Sequence, residues 1–387
     1  MRSQDGGSQQ ALRRSNRRNV IAALRLHGRL SQAELAELTG LAPSSISAIV
    51  RELVESDLLE VGDGIRNGRR SRTVRLDPRG VVAGGFDFGR THARVALLDF
   101  SFSPLGARLV EYADGTPAST AVDLAVAAFA DLRSSTGTDS SRLVGIGAGV
   151  PGPVDAATGA IGHGSILPEW VGTDPRSTLE QALGHRVQVD NDANLGALAE
   201  HTLGAARGHR QAVYLKIESG IGAGLVVDGR VARGGTGMAG EFGHVSVDED
   251  GALCRCGSRG CLETKASVPI AIETLHRGGR PHLTAEEMAS LARDGDPTCR
   301  RVVADLGRDV GVALGGLCNL LNPTIVVVDT TLAGAGDVLL DPMRASLRRF
   351  AIPAIADAVE LTLSGFDGHA PAYGAALLAL DSGSLPA

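Results

Sequence analysis

Four soft metal donors fall within a short stretch of the chain: His244, Cys254, Cys256 and Cys261. Three thiolates and one imidazole make a complete tetrahedral zinc set. With no coordination position left for water, such a zinc is structural rather than catalytic. Gly257 and Gly260 supply the turn that brings the sulfurs together. No apolar run opens the chain and none reaches 18 residues, so neither a secretion signal nor a membrane span is expected. The expectation is a cytoplasmic protein whose five cysteines stay reduced.

Two further constellations suit phosphate. Asp87-Phe88-Gly89-Arg90-Thr91 ends an apolar run, and an Asp-x-Gly-x-Thr turn can hold phosphate and magnesium through its amides and carboxylate. Ser219-Gly220-Ile221-Gly222-Ala223-Gly224 is a small-residue turn of the phosphate-cradling kind, with Ser219, Gly220 and Gly222 as its contacts. Between them, Val187–Asp190 reads as a strand leading into Asn191-Asp192 and a helix. Carboxamide and carboxylate groups at a strand's C-terminal end are well placed for a ligand.

The elements that must position these groups can be read from periodicity. Strand-like runs at 81–88, 93–100, 107–112, 143–150, 187–190, 213–217 and 225–227 alternate with helical segments, which gives an α/β body. Asp228-Gly229 is a hairpin turn. The first 80 residues differ. Val20, Ile21 and Leu24 suit a helix ending near Gly28. Ser31 and Glu34 form a capping box for a second helix with Leu35 and Leu38 on its apolar face. Pro43 opens a third helix that turns Ile46, Ile49, Val50 and Leu53 inward. A β-hairpin over 58–77 follows, with arginines around its tip.

This is a winged helix-turn-helix. The outer face of its third helix, Ser44, Ser45, Ser47 and Arg51, is small enough to enter a groove. The wing arginines Arg66, Arg69, Arg70 and Arg72 can reach phosphates or a minor groove. Charge agrees. Residues 1–80 carry 14 arginines against 9 acids, while the other 307 carry 24 basic against 35 acidic groups, for a net charge of −6. A basic head on an acidic body implies double-stranded DNA as partner.

The run Glu241-Phe242-Gly243-His244 followed by Cys254-x-Cys256-Gly257-x-x-Gly260-Cys261-x-Glu263 resembles the signature of the ROK family of sugar kinases and repressors. The resemblance covers essentially the whole chain, and the head matches the family's regulator branch. It implies an actin-like fold with two α/β lobes and a cleft. The expected layout is a DNA-binding domain over 1–78 (1–14 disordered), a first lobe over 79–195 joined by a C-terminal helix at 371–382, and a second lobe over 196–370 with the zinc. It also implies a sugar ligand held by Asn191, Asp192, Glu241, His244 and Glu263, with Asp192 in the position of the kinases' general base. One nitrogen of His244 would bind zinc and the other would face the sugar.

Departures from the family pattern fall on the nucleotide side. Arg90 replaces a glycine in the first phosphate turn, and Glu218 opens the second. A carboxylate ~4 Å from phosphate oxygens costs roughly 4 kcal/mol in a semi-exposed site. Arg90 could offset part of this. Asp329-Thr330-Thr331 stand where a Gly-Gly pair packs adenosine, and Ile166 replaces a sugar-binding asparagine. The expectation is a DNA-binding repressor of carbohydrate genes that senses a sugar without ATP turnover, with neither ATP nor magnesium as a cofactor, acting as a homodimer or homotetramer on half-sites about one helical turn apart. The alternatives are a bifunctional sugar kinase that also binds DNA, and a ligand-free regulator controlled by a protein partner.

Overall fold

The computed structural model describes residues 5–66, 69–78, 80–152, 167–171, 173–280 and 282–381. Its head consists of α1 (Asp5–His27), β1 (Leu30–Ser31), α2 (Gln32–Thr39), α3 (Pro43–Glu55), β2 (Leu59–Arg66) and β3 (Arg69–Leu76). Residues 5–14, expected to be disordered, instead form the first turns of α1. The Gln/Ser/Gly composition concealed them, because propensity is a weak guide where a helix continues into a packed segment. The capping box forms as expected: the Ser31 backbone N–H donates to Glu34 at 2.7 Å, and the Glu34 N–H donates to Ser31 Oγ at 3.3 Å. Gly40 then ends α2 at a φ of +69°. Val20, Ile21, Leu24, Leu35, Ile46, Val50 and Leu53 are buried together. Leu38 is half exposed, so it is not part of α2's buried face.

The body starts with β4 (Val82–Phe88), β5 (His92–Asp99), β6 (Pro104–Glu111), α4 (Ala118–Ser135), β7 (Leu143–Val150), α5 (Pro175–Leu183) and β8 (Val187–Asn191). Their strands form one sheet in the order β6-β5-β4-β7-β8. After α6 (Asp192–Thr202) come β9 (Ala212–Ile217), β10 (Ile221–Val227) and β11 (Arg230–Val231). The helices α7 (Glu263–Ala266), α8 (Val268–Arg277), α9 (Ala285–Arg293) and α10 (Pro297–Leu321) follow. The chain closes with β12 (Ile325–Thr330), α11 (Asp337–Phe350), α12 (Pro353–Ala358), β13 (Glu360–Leu363) and α13 (Ala370–Asp381). The second sheet runs β11-β10-β9-β12-β13.

Both sheets are mixed, with helices against their faces, as two α/β lobes require. Helices α6 and α13 pack on each other. Against the first sheet, α13 approaches closely because Gly85 and Gly147 present no side chain. A Cβ there would stand 1.8 Å from the Ala372 carbonyl oxygen and 2.0 Å from that of Ala375. One buried apolar cluster runs from Val20, Leu24 and Leu58 of the head through Val81, Leu98 and Phe100 to Ala376 and Leu380 of α13. No described helix is long and apolar enough to cross a membrane.

Candidate functional site

A cleft opens where strands of the two sheets end beside each other, and a crevice at strand ends is a common place for a small ligand. Its lining includes Gly89, Asn191, Asp192, Ser219, Gly220, Gly222, Glu241, His244 and Glu263. Thus both expected phosphate turns and every expected sugar contact contribute to one site. Asp87 lies behind that lining, fully buried at the end of β4, while Thr91 is exposed outside it. The glycines from 222 to 224 lie in strand β10, so the second turn is only Glu218-Ser219-Gly220, closed by the Glu218 N–H donating to the Gly220 carbonyl at 3.0 Å.

Asn191 caps α6. Its Oδ1 accepts from the Ala193 and Asn194 amides, and its Nδ2 donates to the Gly152 carbonyl at 3.1 Å. Its side chain therefore shapes the cleft wall, and the sugar contact expected of it would compete with capping. Asp192, beside it, is buried. One oxygen accepts the Ala193 amide at 2.9 Å and the other meets Lys216 Nζ at 2.9 Å.

Lys216 has no place among the site residues expected from the sequence. It ends β9 in the second lobe and reaches Asp87 at 3.4 Å and Glu218 at 3.5 Å as well as Asp192. Arg94 of β5 adds contacts to Glu218 at 3.1 Å and Asp87 at 3.7 Å. Its Nη1 also lies 2.6 Å from His92 Nε2. Burial pushes Asp87 up to about 6, with Lys216 opposing the rise, and holds His92 down at about 3, so that ring is neutral. For Glu218, burial works against ionisation, but Lys216 and Arg94 outweigh it and keep the carboxyl well below its ordinary range. Burial likewise opposes charge on Lys216, and Asp192, Asp87 and Glu218 outweigh that in turn. The cleft's floor is a closed ionic network joining both lobes.

Arg90 takes no part. It forms a bidentate pair with Asp114 at 2.6 and 2.7 Å, and the groups that offset Glu218 are Arg94 and Lys216 instead. Asp329 also departs from expectation. Rather than crowding the cleft, it is buried and accepts a 2.6 Å hydrogen bond from Tyr214. Ile166 lies outside the described residues. A lysine in a buried strand, in a chain with only two lysines, was the available signal for the network.

The metal-donor cluster lies beside the cleft. One ligand atom from each of His244, Cys254, Cys256 and Cys261 falls within 4.8 Å of the others. The Cys256 and Cys261 sulfurs are 3.7 Å apart, and Cys254 Sγ lies 3.5 Å from His244 Nδ1. A tetrahedron with Zn–S near ~2.3 Å and Zn–N near ~2.0 Å has edges of roughly 3.8 and 3.5 Å, so the donor set fits that ion. His244 Nε2 points the other way, 3.7 Å from Glu241. Burial, with help from Asp192 and Glu263, raises Glu241 to about 6. Glu263 is held by Arg255, whose guanidinium grips both carboxylate oxygens, a partner the sequence reading missed.

On the head, Ser44, Ser47 and Arg51 are exposed along α3, Ser45 is half-buried, and Ser47 Oγ donates to Gln32 at 2.8 Å. Arg72 is exposed on β3; the side chains of Arg66, Arg69 and Arg70 lie outside the described residues. Helix α1 adds exposed Arg13, Arg14 and Arg18 to the basic surface. The profile of the ROK family matches residues 83–382. The chain belongs to the ROK family. A winged helix-turn-helix DNA-binding profile matches residues 13–60.

The chain is 26% identical to the xylose repressor of Bacillus subtilis (strain 168), over 97% of this chain and 98% of that protein. The crystal structure of a ROK family transcriptional regulator, a homologue of the Escherichia coli MLC protein, superposes with a TM-score of 0.79 at 25% identity. The match covers 95% of this chain and 96% of that one. A ROK family glucokinase from Streptomyces griseus, in complex with glucose and AMPPNP, superposes with a TM-score of 0.69 at 28% identity over 77% of this chain and 98% of its own. The kinase matches a body's length of this chain and the regulators match nearly all of it.

Proposed function

We propose that this ROK protein is a transcription regulator, a repressor of carbohydrate genes, whose head binds operator DNA and whose cleft binds a sugar or sugar derivative without turning over ATP. The xylose repressor matches head and body together, which supports the regulator reading. The observation that carries the loss of turnover is Lys216 at 2.9 Å from Asp192. In phosphoryl transfer a carboxylate at this position accepts the hydroxyl proton, and magnesium and amides neutralise the phosphates. Here an ammonium occupies that carboxylate's free oxygen. Asp87, the candidate magnesium carboxylate, is paired internally, and Glu218 opens the phosphate turn.

Zinc, when bound, would be held by His244 Nδ1, Cys254, Cys256 and Cys261 and would supply a fixed fold rather than chemistry. The turn over Phe242–His244 would then hold Glu241 and His244 Nε2 at the sugar end of the cleft. A second reading, a kinase that also binds DNA, draws support from the same lysine, since an ammonium facing the cleft could meet a γ-phosphate. Calorimetric titration of metal-loaded protein separates them. The proposal expects heat from one of D-xylose, D-glucose or N-acetylglucosamine and none from Mg-ATP. Micromolar Mg-ATP binding with ADP release in the presence of that sugar would establish the kinase instead.

A further inference from the structure

The turn between β5 and β6 serves neither the cleft nor the DNA face, yet its backbone is strained. Phe102 has a φ of +69°, a left-handed conformation that bulky residues avoid. Asp99, buried, imposes it. Its Oδ1 accepts from the Ser101 amide at 2.8 Å, the Ser101 hydroxyl at 2.7 Å and the Ser103 amide at 2.9 Å, and the Phe102 N–H donates to the Asp99 carbonyl at 3.0 Å. Strain maintained by such a set of bonds points to a use.

The use on display is a clamp for the head. The Arg25 guanidinium, in the last turn of α1, lies 3.5 Å from the Phe102 ring centre and 5.0 Å from that of Phe100. Its Nε donates to the Phe100 carbonyl at 3.1 Å. Two aromatic faces and a carbonyl around one guanidinium form a directional contact. Nearby, Arg142 fastens the connecting segment by donating to the Pro78 and Gly80 carbonyls at 3.0 and 3.2 Å. Arg25 is adjacent to Leu24, which is buried in the same apolar cluster as Leu98 and Phe100.

The strand that carries this clamp also carries the cleft's arginine. Arg94, Ala96 and Leu98 lie on one face of β5, by the period of two. Arg94 stands at the cleft end and pairs with Glu218 of the other lobe. Phe100 is six positions beyond Arg94, roughly 20 Å at ~3.3 Å per residue. We infer that β5 is a rigid joint between cleft and head: Glu218 of the second lobe holds its Arg94 end, and the Phe100–Phe102 clamp at its other end orients α1 through Arg25. A ligand that shifts one lobe against the other moves Glu218 relative to Arg94, and the strand carries that displacement to the head.

The consequence for transcription rests on the regulator reading, but the joint can be tested without sugar or DNA. Amide hydrogen exchange is measured on the full-length wild type, Glu218→Gln and Arg25→Met, with circular dichroism confirming each fold. Glu218→Gln should speed exchange by about fivefold or more in the Ser101–Ser103 turn and in α1. Arg25→Met should do so at the 89–94 end of β5, because coupling is reciprocal. Arg94→Lys replaces Glu218→Gln if the latter misfolds. Phe102→Gly, which relaxes the left-handed backbone but removes the ring, should reproduce Arg25→Met. Changes confined to the mutated end in either direction would overturn the joint. Operator binding by wild type is measured separately: its absence defeats the regulator reading, whereas normal binding with confined exchange defeats only the joint.

Discussion

Replacing Lys216 with Met tests the ionic floor of the cleft directly. The substitution keeps the chain's length and apolar stem but deletes a charge that stands 2.9 Å from Asp192, 3.4 Å from Asp87 and 3.5 Å from Glu218. At an effective dielectric near 20, one unit charge at the Asp87 distance contributes about 5 kcal/mol, or about 3.5 pKa units. Asp87 already sits at about 6, so it would be protonated in the folded variant at neutral pH. Glu218 keeps Arg94, and Asp192 keeps only the Ala193 amide among its described partners. Removing one member of a buried pair costs roughly 3–5 kcal/mol, a large share of a typical stability of ~5–15 kcal/mol.

Urea denaturation at pH 8 would measure this. Lys216→Met should lose about 3–5 kcal/mol, and adding Asp87→Asn should recover a substantial part, because the carboxyl forced to take a proton is gone. A single variant within about 1 kcal/mol of wild type, or a double variant no more stable than the single, would refute the assignment of Lys216 as the network's centre.

Other outcomes can be checked alongside. Asp87 is raised in the folded state, so its contribution to stability is present below its ordinary value of 3.8 and lost as pH rises through about 6. Asp87→Asn should therefore gain on wild type by roughly 2.4 kcal/mol between pH 4 and pH 7, and a difference independent of pH would contradict the raised carboxyl. Cys256→Ser should abolish zinc in metal analysis and, with it, sugar binding by calorimetry; zinc lost with sugar binding intact would mean the metal does not shape the cleft. Arg51→Ala and Arg70→Ala should each weaken DNA binding and lower the salt slope by about 1, and unchanged slopes for both would move the contact surface elsewhere on the head.

Much of this site was legible because its signals are short-range. The Cys3His set and the Ser31 capping box are fixed by spacing over a few residues, and the structure brings both together as read. The third helix faced as expected for the same reason: one turn of periodicity determines it. What was not legible depends on which lobe meets which. Arg90 lies one residue from Gly89 and looked like Glu218's neighbour, yet the hairpin turns it towards Asp114. Arg94, four residues further on, meets Asp87 and Glu218 beneath the cleft because alternation along β5 and pairing with β4 put it opposite Asp87. Lys216 and Asp192 are 24 residues apart and meet only because β9 ends opposite the start of α6. Asp329 was read as facing the cleft. Tyr214, across the β9–β12 pairing, draws it inward. The first turns of α1 were missed because composition, not packing, was the only local evidence.

The central claim is that a sugar in the cleft, and not a nucleotide, changes how the head binds DNA. The most direct measurement takes an operator selected from random duplexes by the full-length, zinc-loaded protein. Its affinity is read by fluorescence anisotropy alone, with D-xylose, D-glucose or N-acetylglucosamine, and with Mg-ATP. The account predicts that one sugar shifts the affinity by about 5–150-fold and that Mg-ATP leaves it unchanged. An affinity that Mg-ATP shifts, or one that no sugar shifts while the calorimeter shows the sugar bound, would contradict it.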